Sequence, residues 1–284
     1  VLALNVCPER VCVIGGGVIG MEFAGILSAF GAKVTVIEYC REILPGFDKD
    51  IAKRLRTTLS RRGVEIITSA AVTAIEPGKV VDYECKGKTG RVEADEVLMA
   101  VGRCPVVPEG TESVGVAVER RGISVDEAFA TAVPGIYAVG DVNGRLMLAH
   151  AASAQAANMM GAHMNLSVVP AAVFTSPECA MVGLTEEICK ERGLNYRTAK
   201  TLFRGNGKAV AMGESDGMVK LIMDTDSRMM LGCHICGPHA ADLVQEIATA
   251  MSAHLTVDAV AEAIHAHPTL GETVHAAALQ LAKA

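Results

Sequence analysis

Gly15-Gly16-Gly17-Val18-Ile19-Gly20 spells G-x-G-x-x-G, and a carboxylate, Glu38, closes the next apolar run. Such a loop works through geometry. Gly15 permits a tight turn, Gly17 lets the backbone approach a pyrophosphate, and Gly20 brings helix and strand close together. The helix start at Val18, Ile19, Gly20 and Met21 offers unpaired N–H groups and the positive end of a dipole to phosphates. An anion at Glu38 accepts hydrogen bonds from the ribose diol of NAD and repels the 2′-phosphate of NADP. The competing reading is an α/β unit whose glycine loop is incidental.

Two further groups carry reactive side chains. His267 and Glu272 stand five residues apart across Pro268. By residue type alone they read as an exposed loop imidazole followed by a first-turn carboxylate favoured by the helix dipole. A zinc cluster of His265, His267 and His275 is a weaker alternative without open-site geometry, so no metal is expected. Cys233-His234-Ile235-Cys236 matches C-x-x-C but lies in a run from Met229 that reads as a strand. Redox pairs of that type sit at a helix start, where the dipole lowers a thiol pKa, so these two thiols are not expected to act together. Cys12, Cys40, Cys85 and Cys179 sit singly in apolar runs and read as small buried thiols.

The elements that position these groups follow from periodicity. Val11 to Ile14 is a strand, Ile19, Phe23, Ile26, Leu27 and Phe30 recur at helical spacing, Gly31 stops the helix, and Val34 to Ile37 is the next strand. Asp48 is a candidate N-cap for a helix to Arg62, Gly63 ends it, and Val64 to Ile67 makes a third strand. From Ala71 to Glu93 short alternating runs predict an antiparallel excursion, and Glu96 to Val101 returns as a buried strand ending at Gly102-Arg103. Gly135 to Asp141 reads as another strand with Gly-Asp at its tip, before an Ala-rich helix from about Leu148 to His163. Strands at Ala171–Thr175, Lys220–Asp224 and Met229–Ile235 come next, then helices at Ala240–His254, Val257–Ala263 and Glu272 to the end. The expected fold is α/β: a Rossmann-like domain over 1–103, a segment over 104–169 belonging to a domain that lies elsewhere, and an α+β domain over 170–284.

Composition narrows the function classes. A net charge of −6 without a long basic run argues against a nucleic-acid surface, and 4% aromatics with no Trp leave few stacking platforms. Half the residues are hydrophobic, yet the apolar stretches break before membrane-spanning length, so a soluble globular chain is expected. Nine cysteines over 284 residues do not form a secreted disulfide framework.

Four landmarks now stand in order: the glycine loop with Glu38, Ala100-Val101-Gly102-Arg103, Ile136-Tyr137-Ala138-Val139-Gly140-Asp141, and His265-Ala266-His267-Pro268-Thr269-Leu270-Gly271-Glu272. Together they resemble the flavin-dependent pyridine nucleotide–disulfide oxidoreductases, closest to the dihydrolipoamide dehydrogenases. The resemblance implies NAD and FAD as cofactors, a homodimer, and dihydrolipoyl domains of 2-oxoacid dehydrogenase or related complexes as partners. It implies that His267 and Glu272 form the catalytic dyad, the ring moving a proton between dithiol substrate and redox cysteines. Asp141 resembles the residue that accepts hydrogen bonds from the flavin ribitol, and Met147, Leu148, Ala149 and His150 the turn beneath the flavin ring. Glu22 resembles a glutamate that pairs with a lysine near the flavin; without that lysine it would face solvent. Val72 and Gly102 resemble nucleotide-contacting positions, and Arg103 stands near the phosphates or as a solvated charge.

Members of this family begin with a flavin-binding glycine motif and a nearby C-x-x-x-x-C redox disulfide, and neither is expected here. The chain therefore reads as a carboxyl-terminal portion that does not oxidise dihydrolipoamide by itself. A stand-alone NAD-binding dimerisation module and an NADPH-linked disulfide reductase are the alternatives; Glu38 opposes the latter. The compartment depends on the source, cytoplasm in a bacterium and mitochondrial matrix in a eukaryote.

Overall fold

The structure is a computed structural model that describes residue 1 and residues 3–283. Ala284, the last residue of the expected final helix, lies outside the described residues. The chain forms two compact units, one of residues 1–101 with 170–284 and one of residues 102–169.

In the first unit, β1 (Arg10–Ile14), α1 (Val18–Ala29), β2 (Lys33–Glu38), α2 (Lys49–Arg61) and β3 (Glu65–Thr68) alternate, and an antiparallel excursion follows as β4 (Ala70–Glu76), β5 (Val80–Cys85) and β6 (Lys88–Glu93). β7 (Glu96–Met99) then returns to pair with β1, giving a parallel sheet ordered β3-β2-β1-β7. Val11, Cys12, Val13 and Ile14 are all buried, as a β-branched run covered on both faces requires. β7 is an edge strand, so it is half-buried rather than buried and Met99 is exposed.

The buried face of α1 keeps part of the expected stripe, Leu27 buried and Phe23 partly so, and departs from the rest. Gly20, Met21, Ala24 and Leu27 face the core, whereas Ile19 and Ile26 are exposed and Phe30 is 75% exposed. Small residues decide this: Gly20 packs so closely that a Cβ there would overlap the Gly15 carbonyl. Asp48 caps α2 by accepting from Asp50 N–H at 3.0 Å.

The second unit holds a two-stranded ribbon of β8 (Val118–Glu119) and β9 (Gly122–Ile123), a 3-10 turn at Gly140–Asn143, and α3 (Ala149–Met159), with a small core of Val116, Ile123 and Ala138. The strand expected over 135–141 is reduced to one bridge between Ala130 and Tyr137, because Gly140 at φ 77 turns the chain away. Gly161, at φ 98, likewise ends the Ala-rich helix before His163.

After residue 170 the first unit resumes with β10 (Ala171–Val173), β11 (Glu178–Gly183), α4 (Glu186–Glu191), β12 (Tyr196–Leu202), α5 (Gly207–Met212), β13 (Met218–Asp224), β14 (Met230–Gly237), α6 (Ala240–Ser252), α7 (Val257–Glu262) and α8 (Glu272–Ala282). The strands form an antiparallel sheet ordered β10-β11-β14-β13-β12. Val173, Cys179, Met218 and Cys236 join the core made by β1, α1, β2 and α2, so both halves of this unit bury one apolar interior. A buried ion cluster ties them as well. Lys220 on β13, 1% exposed, donates to Asp48, Asp50 and Glu186 at 2.7–2.9 Å.

Candidate functional site

The glycine loop is built by the crossing of β1, α1 and β7. Gly15 has φ 105, and any side chain there would strike the Ala100 carbonyl; Gly20 is fixed by contact with Gly15. Gly17 is different. A Cβ on it would meet nothing within 4 Å, and its φ of −73 suits any residue, so the fold gives no internal reason for glycine. The N-terminus of α1 has no side-chain cap and no acidic residue in its first turn. Together, the open space at Gly17 and the uncapped amides at Val18 and Ile19 fit a dinucleotide pyrophosphate.

Met21 contributes nothing to such a cradle. Its side chain is wholly buried and its N–H is spent on Gly17 O at 2.9 Å. Glu38, 5% exposed, accepts from Gly16 N–H through one oxygen and Cys40 N–H through the other. The carboxylate thus clasps the glycine loop to the end of β2. Glu22 is half-buried rather than free, and its Oε1 accepts from Phe174 N–H at 2.8 Å. Val72 is half-buried in β4, packed beside Cys12, Ile14 and Ile37.

The second constellation lies on the turn before α8. His267 Nδ1 and Glu272 Oε1 are 2.9 Å apart, and Glu272 Oε2 accepts from Thr269 N–H at 2.9 Å. Those two donors, the Thr269 amide first, hold the Glu272 carboxyl below its ordinary range. A carboxylate takes Nδ1–H, which leaves Nε2 as the nitrogen that exchanges a proton. The His267 side chain is 79% exposed, and among the described residues Nε2 has no hydrogen-bond partner. A cavity of about 530 Å³ opens beside it, lined also by Lys200, Arg204, Asn206 and Gln280.

In the second unit Asp141 is exposed on the 3-10 turn, Met147 and Leu148 are half-buried, and Ala149 and His150 are exposed at the uncapped start of α3. Gln155 was not legible as a site residue, yet it is 3% exposed and accepts from Gly140 N–H and Asn143 Nδ2, both at 2.8 Å. It holds the turn that presents Asp141. Gly102, at φ 124, and Arg103 begin this unit, and both are exposed.

The cysteines need two corrections. Cys40 is exposed and Cys85 only half-buried. The spacing C-x-x-x-x-C does occur, at Cys7 and Cys12, but Cys12 is buried within β1, where desolvation pushes its thiol up to about 11, while Cys7 is exposed. Both are free. Cys233 and Cys236 are also free and wholly buried, three residues apart on β14 and so directed to opposite faces. Among the described residues no group of three or more His, Cys, Asp or Glu is placed to hold a metal ion. His265 and His275 instead stack on each other.

Family comparison places this geometry. Residues 1–156 match the model for pyridine nucleotide-disulphide oxidoreductases, and residues 169–278 match that family's dimerisation domain. The chain belongs to the pyridine nucleotide-disulphide oxidoreductases. Within the family it is 40% identical to a dihydrolipoyl dehydrogenase of Geobacillus stearothermophilus over 98% of its own length and 61% of the relative's. It is 41% identical to a dihydrolipoyl dehydrogenase of Synechocystis over 95% and 62%. The chain therefore spans about three fifths of these curated relatives. Among solved structures, the HOCl-induced flavoprotein disulfide reductase RclA of Escherichia coli superposes with a TM-score of 0.87 at 28% identity, covering 98% of this chain and 66% of that one. LpdA of Mycobacterium tuberculosis gives 0.87 at 29% identity, covering 98% and 62%. No helix among the described residues is long and apolar enough to cross a membrane.

Proposed function

We propose that these residues form the NAD-binding and interface part of a dihydrolipoamide dehydrogenase, a flavoprotein that oxidises dihydrolipoamide with NAD. Residues 1–103 carry the nicotinamide dinucleotide, 104–169 return to a flavin-binding domain, and 170–284 make the homodimer interface. The reading rests on one observation above all, the 2.9 Å pair of His267 and Glu272 with the outer ring nitrogen open. His267 Nε2 takes the proton of an incoming thiol, because the thiolate and not the thiol is the nucleophile. Glu272 keeps Nδ1–H directed inward and stabilises the imidazolium that results.

At the other site, the amides of Val18 and Ile19 and the open face of Gly17 seat the pyrophosphate, and Glu38 receives the ribose hydroxyls. Bound flavin would supply the two-electron relay between the thiols and the nicotinamide. Lipoyl domains of a 2-oxoacid dehydrogenase complex are the implied source of the dithiol.

Two measurements test this. NADH and NADPH titrations of the chain are expected to show tighter binding of NADH. In the flavin-containing protein from its source, His267→Gln is expected to slow NAD-linked oxidation of dihydrolipoamide by about 10²–10⁴-fold, the usual worth of a general base. Tighter NADPH binding, or a His267→Gln protein of unchanged rate, would overturn the reading.

A further inference from the structure

Behind His267 lies a second imidazole–carboxylate pair for which the proposed function has no use. His265 Nε2 is 2.9 Å from Glu246 Oε1 on α6, and His265 Nδ1 is 3.0 Å from the Ala263 carbonyl. The ring stacks on His275 of α8, with centroids 4.2 Å apart and planes 12° apart, and His275 Nε2 lies 3.0 Å from the Ala261 carbonyl. The His265 side chain is 11% exposed, against 79% for His267. One ring is built in; the other is presented.

The turn between them is held almost entirely by side chains. Among the described residues, 264–268 make no backbone–backbone hydrogen bond. Glu272 grips the far end through His267 and Thr269 N–H, and Thr269 Oγ1 donates to Ala266 O at 2.7 Å. Among the described residues the only side-chain anchor on the near side is His265, separated from His267 by one residue. A carbonyl and a carboxylate can only accept, so both contacts of the His265 ring are satisfied together only when both nitrogens carry protons. Among the described residues Glu246 of α6 is paired with it, His275 of α8 stacks on it, and Glu272 of α8 lies within electrostatic reach. The Glu272 carboxyl, held low by the Thr269 amide and then His267, also has His265 within electrostatic reach.

We propose that His265, held by Glu246, is a positioning residue for His267: it fixes the near arm of the turn so that the exposed ring meets Glu272 through Nδ1 and leaves Nε2 open. The role rests on the proton-transfer reading of His267 above.

The test is a long-range proton–nitrogen spectrum of the chain labelled with ¹⁵N at its eight histidines. In the unaltered protein neutral His267 is expected to show the Nδ1–H form. In His265→Gln, and separately in Glu246→Gln, which keeps the acceptor shape, neutral His267 should pass to the Nε2–H form that a free imidazole prefers. His239→Gln, at an exposed site, should leave His267 unchanged, and reversible unfolding of each variant confirms that it folds. A neutral His267 in the Nε2–H form in the unaltered protein, or one that keeps its Nδ1–H form in both variants, would overturn the proposal. These spectra need no turnover. If His267→Gln left dithiol oxidation untouched, the proton-transfer reading would fail while the nitrogen result still stood.

Discussion

Glu38 combines a structural contact with a recognition role because a carboxylate has about four lone-pair positions. Each oxygen takes one backbone N–H, from Gly16 or from Cys40, and each keeps capacity for a ribose hydroxyl. Replacement by Ala strands the buried Gly16 donor, at about 1–3 kcal/mol, and leaves the part-buried Cys40 donor to water. Glu38→Ala is therefore expected to lower the urea midpoint as well as weaken NADH binding. Glu38→Gln should keep most of the stability through its amide oxygen while losing discrimination against NADPH. An unchanged urea midpoint in Glu38→Ala would show that the clasp carries no load. Residues of this kind were readable because their meaning is local: Glu38 ends a strand after a glycine loop, and Glu272 follows His267 by one turn. Gln155, Glu246 and Lys220 gave no such signal. Their partners stand 12, 19 and 172 residues away, and only the fold joins them.

Elements were legible where a period repeats and obscure where two periods compete. α1 carries a large apolar set and a small one, and the expected stripe followed size, through Ile19, Phe23, Ile26, Leu27 and Phe30. Of these Leu27 is buried and Phe23 partly buried against the core, and close packing adds Gly20 and Ala24, since small side chains let the helix approach β1. β11 and β12 escaped notice because ECAMVG is short and YRTAKTL is half polar. The same packing separates the glycines of the loop by role. Gly17→Ala meets no atom and needs no unusual backbone angle, so its thermal midpoint should match the unaltered protein. Its methyl group would nevertheless occupy the space reserved for pyrophosphate, weakening NADH binding about tenfold or more, a loss of roughly 1.4 kcal/mol. Gly20→Ala should do the reverse and lower stability by about 1–3 kcal/mol through overpacking against Gly15. Calorimetry on both variants reads melting and binding together. Full NADH affinity in Gly17→Ala would remove the phosphate assignment.

At the scale of the whole molecule, pH reports on the buried charges that join residues 1–101 to 170–284. Asp50 is held at about 2, the pull of Lys200 and Lys220 exceeding the burial that pushes it up, and Glu186 at about 2 by Lys190 and then Lys220. A carboxyl whose folded pKa is depressed adds stability above its ordinary value near 4, and that contribution is lost as pH falls toward about 2. His234 acts in a higher window. It is wholly buried on β14 opposite Lys220, contacts the Leu184 carbonyl through Nε2 at 2.9 Å, and has no partner for Nδ1 among the described residues. Burial lowers its pKa, so the unfolded chain takes up the proton first, and stability declines as pH falls through about 6.5. Urea midpoints measured from pH 8 to pH 3 should therefore fall in two stages. His234→Gln keeps a donor for Leu184 and does not titrate, so it should flatten the upper stage alone. Lys220→Met leaves the Asp48 carboxylate, itself fully buried, without its cation, a loss on the order of 3–5 kcal/mol at neutral pH. It should also shallow the lower stage without abolishing it, because Lys200 and Lys190 remain on Asp50 and Glu186. A Lys220→Met protein as stable as the unaltered one would mean that the shared apolar core alone binds the two halves of this unit.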